Sequence, residues 1–189
     1  MAKSGYQIKI ELMSSKPAIW RRVLIPSDML LNDFHYLIQT VMGWTNSHMY
    51  QFVKENVYYL EKDPEFGWDN GDDIDIRKKK VKVSDLLQSE KDKIVYEYDF
   101  GDSWMHNIKL EKILPYDKTQ KYPVCVAGKM NCPPEDCGGV WGYAHLLEVI
   151  GNPEHEEYAD YEEWRMEDFD PEYFNVDEVN EMLHGKRRQ

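Results

Sequence analysis

Three things are scarce in this sequence, and each absence removes a class of protein. The first is cysteine, which occurs only as Cys125, Cys132 and Cys137. A small odd number builds no disulfide framework. Spacings of seven and five residues also lack the tight C-x2-C pair of a zinc knuckle. A Cys3His site with His106 or His145 is a weak alternative, and small buried thiols are the expected state. The second scarcity is long apolar sequence. No run approaches the ~18 residues a membrane span needs. The opening MAKSGYQIKIEL has no apolar h-region, so no secretory signal is expected and the cytoplasm is the expected compartment. The third is positive charge: 23 Lys and Arg face 35 Asp and Glu, a net charge of -12. Nucleic-acid affinity rests on cations that neutralise phosphates, so direct binding to nucleic acid is disfavoured. No P-loop, G-x-G-x-x-G or G-x-S-x-G occurs either.

What is present is ample apolar and aromatic material. The hydrophobic fraction is 42%, with 13 Tyr, 6 Trp and 6 Phe, enough for one well-filled domain. The stretch Ile94 to Leu114 organises it. Tyr96, Tyr98 and Phe100 alternate before a Gly101-Asp102-Ser103 break, and Trp104, His106, Ile108 and Leu110 alternate after it. Period-two alternation on both sides of a turn predicts a β-hairpin. Tyr6 to Met13 and Ala18 to Ile25 read as two further strands. Asn32 is the expected cap of a helix whose stripe is Phe34, Leu37, Ile38, Val41 and Met42, stopped by Gly43. A second hairpin is expected around Tyr50, Phe52, Val57 and Tyr59, with His48 on its first strand.

Glu61 to Asp75 reads as a long polar loop. It resembles a calcium loop only superficially, because counting from Asp69 the required Gly and Glu are Ile74 and Lys80. The RKKK run that follows is expected to neutralise local acid. Ser84 is the expected cap of a short helix. Paired prolines at 133 and 134 and paired glycines at 138 and 139 predict a stiff, irregular loop. A helix is expected over Gly142 to Ile150. From Glu154 to Asp170 nine acidic residues face one arginine among interleaved aromatics, which reads as an acidic helix. Asn175 and Glu178 have capping-box-like spacing ahead of a last helix, and the basic tail reads as a frayed end. The expected organisation is a core of residues 1–152 with an acidic helical segment, 153–189, packed on it in the same domain.

Chemistry-bearing residues fall into three groups. Asp99, Asp102 and His106 lie on the central hairpin. Glu135 and Asp136 lie on the proline-glycine loop. His48 stands alone. Two histidines with several carboxylates suit a divalent ion such as zinc, manganese or magnesium, which can activate a bound water. In that reading His48, Asp99, Asp102, His106 and Glu135 are metal ligands and Asp136 is the base. Each also has a bland alternative: Asp102 as a turn residue, His106 as a core histidine, Glu135 and Asp136 as helix caps or partners of Arg21 and Arg22. Trp104, Arg21 and Arg22 are binding candidates. Cys137 as a nucleophile has no adjacent base in sequence.

These residues together resemble the plasmid Ri ORF-three-like proteins, also met as passengers of insertion elements. The resemblance rests on Ile19-Trp20-Arg21-Arg22, on Trp44 with Ser47-His48 and Phe52, and on Tyr98-Asp99-Phe100-Gly101-Asp102 with Trp104 and His106. It continues through Cys125, Gly128, Pro133-Pro134-Glu135-Asp136-Cys137-Gly138-Gly139 and Gly142-Tyr143. It implies an α+β roll, a curved, mainly antiparallel sheet with helices on one side, and no established activity. Some members carry a resolvase-type name, but no serine-recombinase or helix-turn-helix pattern is present here. The leading expectation is a cytoplasmic domain that binds a small molecule or protein partner. The alternatives are a metal-assisted hydrolase and an accessory protein of a mobile element.

Overall fold

The computed structural model describes residues 3–62, 73–160 and 169–185. Among these, eight strands form one sheet in the order β5-β4-β3-β6-β7-β1-β2-β8. They are β1 Ser4–Leu12, β2 Trp20–Pro26, β3 Tyr50–Lys54, β4 Val57–Leu60, β5 Ile74–Asp75, β6 Lys93–Tyr98, β7 Trp104–Pro115 and β8 Val124–Lys129. Every pairing is antiparallel except that of β4 with β5. The fold class is therefore α+β, with an open curved sheet.

The alternation read from sequence is what builds the two faces. Tyr6, Ile8, Ile10 and Leu12 of β1 are buried, as are Trp104, His106, Ile108 and Leu110 of β7. The intervening residues make a polar ladder on the other face, where Arg22 forms a two-pronged ion pair with Glu111 (2.6 and 3.0 Å) and Gln7 donates to the same carboxylate. Arg22 is thus a surface strut, far in character from its neighbour Arg21.

Helix α1, Leu31–Met42, covers the apolar face and ends at Gly43, whose φ of 101° admits the left-handed turn. Its start differs from expectation. Leu30 holds the cap position, and the Asn32 side chain instead accepts a hydrogen bond from the Tyr50 hydroxyl. The Ser84 expectation fails similarly. Helix α2, Val83–Leu86, begins after Lys82, whose N–H donates to the Asp85 carboxylate. Helix α3, Gly139–Ile150, starts three residues earlier than the sequence suggested. The last helix, α4, spans Val176–Leu183 and is capped by the Asn175 side chain as expected. The Asn180 amide of α4 donates to and accepts from the Cys125 backbone, both at 2.8 Å. A side-chain amide thereby stands in for a ninth strand and covers the β8 edge. Residues 161–168 of the expected acidic helix, the centre of the polar loop and most of the basic tail lie outside the described residues. None of the described helices is long and apolar enough to cross a membrane.

Candidate functional site

Three irregular segments meet at one end of the sheet: residues 44–48 after α1, the 99–103 turn between β6 and β7, and the 133–139 loop before α3. The proline-glycine loop is anchored by one carboxylate. Glu135 accepts hydrogen bonds from the Thr45 N–H (3.1 Å), the Thr45 hydroxyl (2.6 Å) and the Tyr98 hydroxyl (2.6 Å). The Tyr98 oxygen in turn accepts from the Ser47 and His48 N–H groups. Burial and the adjacent Glu135 both push the Tyr98 phenol up, so it stays a donor. Trp44 stacks on Tyr98 with ring centroids 5.0 Å apart and donates its indole N–H to the Pro133 carbonyl.

A second anchor joins the loop to the turn. The Gly138 N–H donates to Asp102 (3.2 Å), and a Cβ on Gly139 would lie 2.4 Å from the Asp102 carbonyl oxygen, at a φ of 67°. That close backbone approach is what glycine permits here.

These anchors bring His48, Asp99 and Asp136 together. One ligand atom from each lies within 4.8 Å of the others. The two imidazole nitrogens face opposite carboxylates, Nδ1 at 3.7 Å from Asp99 and Nε2 at 3.4 Å from Asp136. Asp99 is buried and divides its oxygens: Oδ1 accepts the Gly101 N–H, while Oδ2 faces His48. Its side chain is 10% exposed against 74% for Asp136, so the cluster has a protein side and a solvent side. Asn46, Asp99, Ser103 and Asp136 all hold φ between 52° and 61°. Left-handed backbone at non-glycine residues costs energy and gathers at functional corners.

The other sequence candidates separate around this cluster. Glu135 and Asp102 are consumed by the anchoring bonds just described. His106 is buried, packed edge-on to Trp44 at 5.2 Å, with Nδ1 against the Trp104 carbonyl. Burial lowers its pKa to about 4, and Nε2 has no hydrogen-bond partner among the described residues. Trp104 is fully buried beneath Trp44. His48 precedes β3 in a bend rather than sitting on the strand, so its side chain escapes the alternation of Tyr50 and Phe52. The Cys137 thiol is pushed up to about 12, chiefly by burial, and rests protonated. The sequence does not mark Thr45 and Tyr98 as the groups that aim the loop: Thr45 carries no motif, and Tyr98 stands in the family motif and on the apolar face of its strand, which reads as packing.

A family model described as plasmid pRiA4b ORF-3-like protein matches residues 4–178. The chain is 36% identical over 185 residues to the uncharacterized protein y4hQ of Sinorhizobium fredii (strain NBRC 101917 / NGR234), covering 97% of this chain and 92% of that protein. Its fold is similar to the crystal structure of a protein of unknown function, MM3350 from Methanosarcina mazei Go1. That match has a TM-score of 0.81 and 38% identity, covering 95% of this chain and 99% of the other.

Proposed function

We propose that this chain, which belongs to the plasmid pRiA4b ORF-3-like family, is a divalent-cation-binding domain whose ligands are His48, Asp99 and Asp136. The relatives carry no established activity, so the reading rests on the site. The observation that carries it is the convergence of one imidazole and two carboxylates from three separate segments within 4.8 Å. An imidazole with carboxylate oxygens suits a borderline or hard ion such as zinc or manganese. His48 lies between the two carboxylates, Nδ1 towards Asp99 and Nε2 towards Asp136. Asp102 and Glu135 support the site from behind by fixing the loop and the turn.

Three protein donors leave coordination positions for water or for an oxygen of a ligand, and the exposed Asp136 side faces solvent. A cation held this way supplies a lowered water pKa, the requirement of metal-assisted hydrolysis. Asp136 serves here as a ligand on the open side, and hydrolysis remains the runner-up to simple binding.

Calorimetric titration of Zn2+ and of Mn2+ into the purified chain tests this. One ion per chain is expected. His48→Ala and Asp99→Asn are each expected to weaken binding by about tenfold or more while circular dichroism stays native. The reading is overturned if neither ion binds, or if both variants bind as the parent does.

A further inference from the structure

Behind the cation cluster lies a cavity of about 840 Å3, bounded by the end of α1, the 131–135 loop, α3 and α4. Trp44, Leu146, Ile150, Phe174 and Met182 contribute apolar wall. That volume is within the range of small-molecule pockets. The polar group that sets it apart is Arg21, which lines the cavity and is only 2% exposed.

Arg21 is held by backbone alone. Nε donates to the Val41 carbonyl at 2.7 Å, and Nη1 donates to the Trp20 and Lys129 carbonyls at 2.9 and 3.0 Å. Phe174 covers the guanidinium plane at 4.4 Å. Nη2 has no acceptor among the described residues and is not sealed from solvent, so it opens towards the cavity, and Arg21 forms no ion pair among the described residues. The Val41 carbonyl belongs to the C-terminal turn of α1, whose dipole supplies about half a negative charge. The nearby Cys132 thiol is raised by burial and stays neutral, so it adds none. Glu135 and Glu178 also line the cavity, but neither carboxylate forms an ion pair with Arg21 among the described residues; Glu135 accepts from Thr45 and Tyr98, and Glu178 from Tyr173 and Asn175. A buried guanidinium with an open N–H edge and incomplete compensation is expensive unless an anion completes it.

We infer that this cavity binds a small organic carboxylate, its anionic head on Arg21 Nη2 and its apolar body along Trp44, Leu146 and Phe174. A guanidinium edge recognises carboxylate by charge-assisted hydrogen bonds, and the walls reward an apolar body. The site does not depend on the cation reading, so it is tested with chelator present.

The experiment titrates the full chain, in EDTA, with decanoate and with decanol, following tryptophan fluorescence and the melting temperature. Decanoate is expected to bind saturably and about tenfold more tightly than decanol, the contribution of a charge-assisted hydrogen bond. Arg21→Met should bring the two probes to within about twofold of each other, since only the charge is lost. Ile150→Glu sets a carboxylate on the cavity wall from a half-buried position and should weaken decanoate by about tenfold while decanol changes little. Its fold is checked by circular dichroism, so the test survives if Arg21→Met does not fold. The inference is overturned if decanoate fails to bind, if the alcohol binds equally well, or if Ile150→Glu binds decanoate as the parent does.

Discussion

His48 and His106 stand on opposite sides of the stacked Trp44–Tyr98 pair, and their contrast organises the molecule. His106 sits on β7, fully buried, its ring against Trp44 and Tyr96. His48 sits in a bend, partly exposed, between two carboxylates. The same side chain is a neutral packing element in one place and a candidate ligand in the other. Burial without an acid drives the first; acids with access to solvent define the second. A corner of loops can hold polar chemistry because water and backbone amides satisfy it, whereas the sheet face cannot.

Three measurements sharpen or break that contrast. The largest effect is expected on the buried side. Trp104→Ala removes a fully buried ring from the core and should cost about 4 kcal/mol in urea unfolding. His48→Ala, by comparison, should stay within about 0.5 kcal/mol of the parent, as an exposed corner substitution does. A large loss for His48→Ala would mean that the corner is core after all.

Acidification comes next. His106 and His35, both buried, have their pKa lowered from 6.5 to about 4, chiefly by burial. The unfolded chain therefore binds more protons than the folded one between these values. Stability is fully kept above pH 6.5, falls as the pH drops towards 4, and is lowest below it. Each histidine contributes a loss of roughly 3 kcal/mol when the folded protein is finally protonated. Urea midpoints at pH 7, 5.5 and 4 measure this, and His106→Phe should reduce the slope. A flat profile would show that burial does not lower the pKa of these two rings.

The smallest effect joins the two regions. Tyr98→Phe keeps the ring under Trp44 but removes the hydroxyl that bridges Glu135 to the Ser47 and His48 backbone. A loss of about 1 kcal/mol is expected. Cation affinity should fall more than stability, because the loop that carries Asp136 loses its aim. Equal small losses in both would leave Tyr98 as packing alone.

Much of this molecule was legible residue by residue. Tyr6, Ile8 and Ile10 alternate with Gln7 and Lys9 and form a strand with one wet face. Phe34, Leu37, Ile38 and Val41 recur at helical spacing and form α1. His106 shares the parity of Trp104 and Ile108 and goes inside with them. One signal was present and unused: Arg21 shares the parity of Ile19, Val23 and Ile25, which already places it on the buried face. Asn32 of α1 leaves the cap position to Leu30 because it lies inside the first turn of the helix, where its side chain accepts from Tyr50 on β3.

The sequence by itself determined the periods, the turns and the chemical inventory, since alternation, glycine and proline act through neighbouring residues. Tertiary structure alone decided which inventory converges. His48, Asp99 and Asp136 meet because Thr45, Tyr98 and Glu135 tie three loops at one corner. Asp102 and Glu135 are withdrawn into that tie, and Arg21 is left facing a cavity. Such choices depend on distances between residues far apart in the chain, and no local pattern encodes them.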